Sequence, residues 1–189
     1  KVLWIYYEGN DLEDLADELK DKTLIKYLDD LNFFQDLLSK QNKINDLANI
    51  IIEKEKEKKT FVFKFMKFIK LYNLRASTSP TSEPKLQPEF KKILEFTKEL
   101  TIENKSKLYF IYLPVYYRYN SNYDNTNYLA VKNVVNELGI PFIDIHTEVF
   151  EKENNPLKLF PFGLVGHYNK DGYKKVGDSI YRLTRDKIK

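Results

Sequence analysis

Apolar and polar positions in this chain follow two different rhythms. Three short runs are almost continuously apolar or aromatic: residues 2–7 (Val-Leu-Trp-Ile-Tyr-Tyr), 108–114 (Leu-Tyr-Phe-Ile-Tyr-Leu-Pro) and 140–145 (Ile-Pro-Phe-Ile-Asp-Ile). Runs of that length without alternation are the composition of strands buried on both faces of a parallel sheet. Elsewhere the apolar residues return at helical spacing. Leu12, Leu15, Ala16 and Leu19 predict a short helix with an acidic outer face. Leu24, Leu28, Leu31, Phe34, Leu38, Ile44, Leu47 and Ile51 then recur at three, four or multiples thereof, which predicts one long amphipathic helix capped by Thr23. Its stripe fades into the charged segment 53–59, a solvated helical surface. Phe61, Phe65, Phe68 and Tyr72 fit a helix interleaved with Lys64, Lys67 and Lys70, whereas Phe61, Phe63 and Phe65 fit a strand, and periodicity leaves both open.

Residues 76–88 carry Pro80, Pro84 and Pro88 among Ser and Thr, which excludes regular structure. Phe90, Ile93, Leu94 and Phe96 predict a helix over 88–100. A second covers 128–138 and is closed by Gly139 as a C-cap. The last begins near Asn169 and runs to the end of the chain. Strand, helices, strand, helix, strand, helix is the order of a parallel α/β fold. Within one domain of 189 residues, segment 24–88 is expected as a helical insertion or cap after the first strand.

The first strand stops at Glu8-Gly9-Asn10-Asp11, where Gly permits a sharp turn and Asn or Asp suits a helix N-cap. That turn falls at the carboxyl edge of the sheet, where open α/β folds bind ligands. A strand this apolar is expected in the centre of a sheet, yet it starts at residue 1. The expectation is therefore a chain incomplete at its N-terminus, with an upstream segment or a partner chain pairing with strand 1–7.

Composition narrows the classes. Hydrophobic content of 42% with 31% charged residues describes a globular chain rather than a disordered one. A net charge of +3 gives no footprint for nucleic acid, so none is expected as a partner. The basic-aromatic stretch 61–72 is a candidate for contact with an anionic membrane surface, weighed against packing of its Phe face on the domain. With no cysteine there is no disulfide framework and no thiolate chemistry. The bacterial cell envelope and the cytoplasm both stay open as compartments. No phosphate-binding Gly-rich loop and no zinc-type His pair occurs, so neither a cofactor nor a metal is expected.

Only His146 and His167 are available as a histidine base. His146 follows the third strand in Asp144-Ile145-His146-Thr147. His167 stands in Gly163-Leu164-Val165-Gly166-His167-Tyr168-Asn169-Lys170-Asp171-Gly172-Tyr173, where two preceding glycines let the backbone bend to present the ring. Gly9-Asn10-Asp11 resembles the Gly-x-Asn-Asp block of the SGNH (GDSL-type) hydrolases. Gly166-His167-Tyr168-Asn169, opening the last helix, resembles the block with that family's catalytic histidine. The resemblance covers roughly 1–20 and 105–189 and not the helical insertion. It implies a flavodoxin-like parallel sheet flanked by helices and a serine-dependent esterase or acyltransferase. The substrate class would be a small-molecule, lipid or glycan ester, such as an O-acylated carbohydrate. Asn10, with Gly9, would serve the oxyanion and His167 would be the base.

Two positions depart from the pattern. The family's Asp three residues before the histidine is Leu164 here. Asp144, or more weakly Glu148, is then the carboxylate that would orient the ring, unless a Ser-His dyad suffices. The Gly-Asp-Ser nucleophile block, which in the family precedes Gly-x-Asn-Asp, has no counterpart before Lys1. Gly177-Asp178-Ser179 spells the motif within a helical run, on the wrong element. The chain by itself is expected to be inactive, and a non-catalytic glycan-binding or assembly protein of the same fold is the alternative.

Overall fold

The computed structural model describes residues 1–30, 32–66, 85–120 and 122–185. Three parallel strands form the sheet: β1 (Val2–Tyr7), β2 (Leu108–Leu113) and β3 (Phe142–Asp144), in spatial order β1-β2-β3. Registers pair Val2 with Leu108, Tyr7 with Leu113, and Tyr112 with Asp144. The helices are α1 (Asp11–Glu18), α2 (Lys22–Asp29), α3 (Gln41–Met66), α4 (Pro88–Glu103), α5 (Thr126–Glu137) and α6 (Lys170–Thr184). The chain is thus α/β, with a small parallel sheet flanked by helices in a layout consistent with a flavodoxin-like arrangement.

Alternation along the strands divides the core in two. Tyr6, Leu108, Phe110 and Tyr112 face Leu12, Leu15, Phe90, Leu94, Val131 and Val135 from α1, α4 and α5. Tyr109, Ile111 and Ile143 face Val149, Phe150, Leu159, Phe160, Tyr168 and Val176 on the opposite side. Gly139 takes φ +62° after α5, the left-handed C′ position expected of it. On the first side an apolar hollow of about 270 Å³ opens among Leu15, Leu19, Leu24, Ile25, Leu28 and Ile93.

The reading of residues 2–7 as buried on both faces is corrected. Among the described residues β1 is the edge of the sheet, with no strand paired on its outer side. Trp4 and Tyr6 are covered by the first core, but Leu3 and Ile5 stay 41% and 48% exposed. The cause is lateral: the opposite core is built from β2, β3, residues 146–160 and α6, and it does not extend over β1.

The single long helix read from Leu24 to Ile51 is likewise corrected. α2 is capped two residues before Thr23, by Asp21, whose Oδ1 accepts from the N–H groups of Thr23 and Leu24 at 2.7 and 3.4 Å. The helix ends at Asp29. Asp30 Oδ1 accepts from Asn32 N–H at 2.9 Å, Asp36 adopts φ +48°, and Ser39 Oγ donates to the Asp36 carbonyl at 3.1 Å. Short polar side chains that bond to nearby backbone compete with the helical ladder, so α3 restarts only at Gln41.

The chain separates into two compact units, Lys1–Leu28 with Glu83–Lys189, and Asp29–Ser82. The second contains α3, whose backbone stays helical through 61–66 and so decides against a strand there. Lys67, Phe68, Lys70 and Tyr72, and the loop 76–84, lie outside the described residues.

Candidate functional site

The in-register strands deliver Glu8, Pro114 and Asp144 to one carboxyl edge. Glu8 directly follows β1, and its N–H still donates to the Leu113 carbonyl at 2.9 Å. Its carboxylate is nevertheless buried at this edge. Oε2 accepts from Val115 N–H and Arg118 Nε, each at 3.0 Å, while Oε1 accepts from Tyr112 Oη and Arg118 Nη2. Arg118 Nη1 donates to Asn125 Oδ1 at 2.7 Å. The guanidinium lies 4.5 Å from the Tyr123 ring centroid and 4.7 Å from that of Tyr128, between two π faces. Burial opposes the charge on Arg118, and the Glu8 hydrogen bonds and charge outweigh it, so its pKa rises above the ordinary value. Burial and the adjacent Glu8 carboxylate push the Tyr112 phenol far up, which keeps it a neutral donor. This ion pair ties the turn after β1 to the long loop after β2.

Asn10 occupies the N-cap position of α1 but does not cap with its side chain. Its backbone carbonyl accepts from Asp14 N–H at 2.8 Å, and Nδ2 donates to Asp14 Oδ2 at 2.6 Å. The carboxamide is therefore exposed and held by one ion-assisted bond, with a second Nδ2 hydrogen uncommitted. Asp11 Oδ2 accepts from Tyr7 N–H at 3.0 Å, closing the turn from the strand side. A Cβ on Gly9 would press on the Tyr7 ring, which would have to move aside.

His167 reaches the same strand end from the other end of the chain. Its ring lies 5.1 Å, centroid to centroid, from that of Tyr7. Burial raises the Tyr7 pKa, and the charges of Tyr173, Glu8 and Tyr117 add to the rise. The residues after His167 fix it. Tyr168 Oη donates to the Pro114 carbonyl at 2.6 Å. Asn169 Oδ1 accepts from Gly172 N–H at 2.9 Å as the cap of α6, and its Nδ2 donates to the Lys158 carbonyl at 2.7 Å. Gly172 is buried against the chain, since a Cβ there would stand 2.6 Å from the Leu159 carbonyl oxygen. The imidazole itself is exposed and has no hydrogen-bond partner among the described residues.

Gly9, Asn10 and His167 thus share one strand end, and the two carboxylate candidates do not join them. Asp144 Oδ2 accepts from Tyr128 Oη at 2.6 Å and lies 3.5 Å from Lys132 Nζ, while Oδ1 accepts from His146 N–H at 3.1 Å. Glu148 is bound by Lys152 at 3.0 Å and Arg182 at 2.7 Å, which lower its pKa. Leu164 is exposed. Ser179 is buried in α6.

His146, at the start of a π-helical turn (His146–Phe150), belongs to a separate cluster. Its Nδ1 shares a hydrogen bond with Tyr119 Oη at 2.9 Å, and Nε2 lies 3.2 Å from Glu151 Oε1. Burial, with the Arg118 charge, lowers its pKa. No group of three or more His, Cys, Asp or Glu with metal-binding geometry occurs among the described residues.

The buried Glu8–Arg118 pair is absent from the sequence reading, although signals for it exist. Glu8 is an acid placed directly after an apolar strand, and Arg118 is the sole Lys or Arg of loop 115–127. No family model, curated protein or solved structure matches this chain.

Proposed function

We propose that this chain carries the base and oxyanion side of an SGNH-type acyl-transfer site, acting on a carbohydrate or lipid ester by hydrolysis or transfer. The observation that supports it most is the contact of His167 with Tyr7, two residues from Gly9. Motifs separated by most of the chain meet at the sheet edge where α/β folds bind ligands. In this reading a hydroxyl oxygen attacks the ester carbonyl as His167 takes its proton. Asn10 Nδ2 donates to the oxyanion, a contact worth about 10²–10³ in rate. Collapse of the tetrahedral intermediate expels the alcohol, which recovers the proton from His167. No serine among the described residues is hydrogen-bonded to His167, and loss of a triad nucleophile costs on the order of 10⁶ in turnover. Residues 1–189 alone are therefore expected to hydrolyse esters barely above background.

The test is short-chain nitrophenyl ester hydrolysis by the natural polypeptide, with His167→Ala and Asn10→Ala beside it. Loss of turnover in both variants is expected. Equal activity in His167→Ala, or none in the natural polypeptide, refutes the proposal.

The second reading, a non-catalytic glycan-binding protein, is favoured by one observation. Asp144 is committed to Tyr128 and His146, and Leu164 stands in the acid's place, so no described carboxylate orients His167. Exposed Tyr117 and Tyr173 beside it would then stack on sugar. Saturable glycan binding with no turnover in the same assay selects it.

An added strand on the outer side of β1 belongs to either reading. Val2 and Glu8 donate inward to the β2 side, which by alternation turns Leu3 and Ile5 N–H outward. Slow amide exchange at Leu3 and Ile5 in the natural protein is the expected result; fast exchange there removes the added strand.

A further inference from the structure

Tyrosine hydroxyls around the carboxyl edge of the sheet are mostly spent on the fold. Those of Tyr112, Tyr116, Tyr119, Tyr128 and Tyr168 each hold a hydrogen bond to another part of the protein. Tyr7 differs: its hydroxyl has no hydrogen-bond partner among the described residues. Those residues leave no fully buried side-chain oxygen unpartnered, so the Tyr7 hydroxyl opens to solvent.

Alternation along β1 explains where the ring lies. Leu3, Ile5 and Tyr7 point to the side of the sheet where the second core stops short of β1. Leu3 and Ile5 stay exposed there, whereas Tyr7 is half-buried. Its ring packs on that of His167 at a tilt of 47°, and its hydroxyl edge lies against Gly9. A Cβ built on Gly9 would stand 3.1 Å from Tyr7 Oη. Tyr7 therefore touches the glycine of one motif and the histidine of the other. A phenyl ring would fill that space equally, so the oxygen is surplus to packing.

We propose that Tyr7 is a catalytic residue of the acyl-transfer site, its Oη–H acting as a second donor to the oxyanion beside Asn10 Nδ2. The inference rests on the acyl-transfer reading and adds to it a residue outside both motifs. As the ester carbonyl becomes tetrahedral, its oxygen gains charge beside the Gly9-Asn10 turn. The phenol donates a hydrogen bond that strengthens with that charge. Burial raises the Tyr7 pKa, so the proton stays on the phenol throughout. That retention also separates Tyr7 from a nucleophile, which must hand its proton to the base.

The experiment is steady-state ester hydrolysis by the natural protein and by Tyr7→Phe, which keeps the ring and removes one oxygen. kcat is expected to fall about 10²–10³-fold, with KM and Tm unchanged. The same factor is expected on a nitrophenyl ester and on an ethyl ester of the same acid. The donor acts on the carbonyl oxygen, which the two share, and not on the leaving alcohol. His167→Ala separates the two claims. If turnover depends on His167 while Tyr7→Phe keeps kcat within about threefold of wild type, the role of Tyr7 alone is overturned. A wild type without turnover, or one indifferent to His167→Ala, overturns the acyl-transfer reading and this role with it. A loss confined to KM makes Tyr7 a binding group, and a loss confined to the ethyl ester makes it a proton donor to the alcohol; either result overturns the assignment.

Discussion

Removing the charge of Arg118 while keeping most of its length, as in Arg118→Met, isolates the ion pair at the sheet edge. The Glu8 and Arg118 side chains are 3% and 4% exposed, so solvent screening cannot take over. The variant leaves the Glu8 carboxylate with Tyr112 Oη and Val115 N–H as donors and no counter-charge. Breaking a buried pair on one side costs about 3–5 kcal/mol. With a urea dependence of about 1–3 kcal/mol per molar, the midpoint falls by about 2 M. Trp4 is the only tryptophan and packs against the core that Tyr6 and Tyr112 share, so its fluorescence reports on this unit. Glu8→Gln combined with Arg118→Met removes the buried charge as well and is expected to be more stable than Arg118→Met alone. An Arg118→Met midpoint within about 0.3 M of wild type, or a double variant no better than the single, refutes the reasoning that an unpaired buried carboxylate sets the cost.

Two further outcomes follow from the same structure. His146 has a pKa below the ordinary 6.5, so the folded state prefers neutral imidazole while the unfolded chain takes up the proton. Its contribution to stability is complete above that value, declines as pH falls through it, and levels off once the folded imidazole is protonated too. Urea midpoints of wild type should show this slope between about pH 7 and 5 and His146→Gln should lack it; parallel curves dismiss the effect. Gly172→Ala places a Cβ 2.6 Å from the Leu159 carbonyl oxygen and 2.9 Å from Tyr168 Cβ. It is expected to cost about 1–3 kcal/mol as overpacking, seen as a lowered Tm, and an unchanged Tm shows that the start of α6 yields.

What the sequence makes legible here is local. The strands at 2–7 and 108–113, the left-handed Gly139 and the start of α6 at Asn169 each rest on a side-chain property that acts within a few residues. Spacing alone misled at Asp30, Asn32 and Asp36, where short polar side chains bond to nearby backbone and interrupt a stripe that otherwise counts as helical. The exposure of Leu3 and Ile5 was not legible, because it depends on how far the opposite core extends sideways. Of the site, the sequence singles out Gly9, Asn10 and His167; the His167 ring packs on Tyr7, at the strand end that Gly9 and Asn10 follow. Asp144 was read from its position after a strand, which gives location but not the direction of its bonds. Glu8 and Arg118 escaped because their meaning is mutual: each looks like a surface charge until the other is brought to it across 110 residues.

That separation has a kinetic consequence. The pairing of Val2 with Leu108 closes a loop of more than one hundred residues before any ladder bond rewards it. The Glu8 carboxylate stays hydrated until β2 and its following loop arrive, and it must shed that water as the last parts dock. Sheet formation is thus expected to be the slow step. The unit Asp29–Ser82, which lies wholly within the loop, then acts as a spacer whose length is felt in the folding rate. Replacing it with a short flexible linker should speed the recovery of Trp4 fluorescence on refolding, with little change in the unfolding rate.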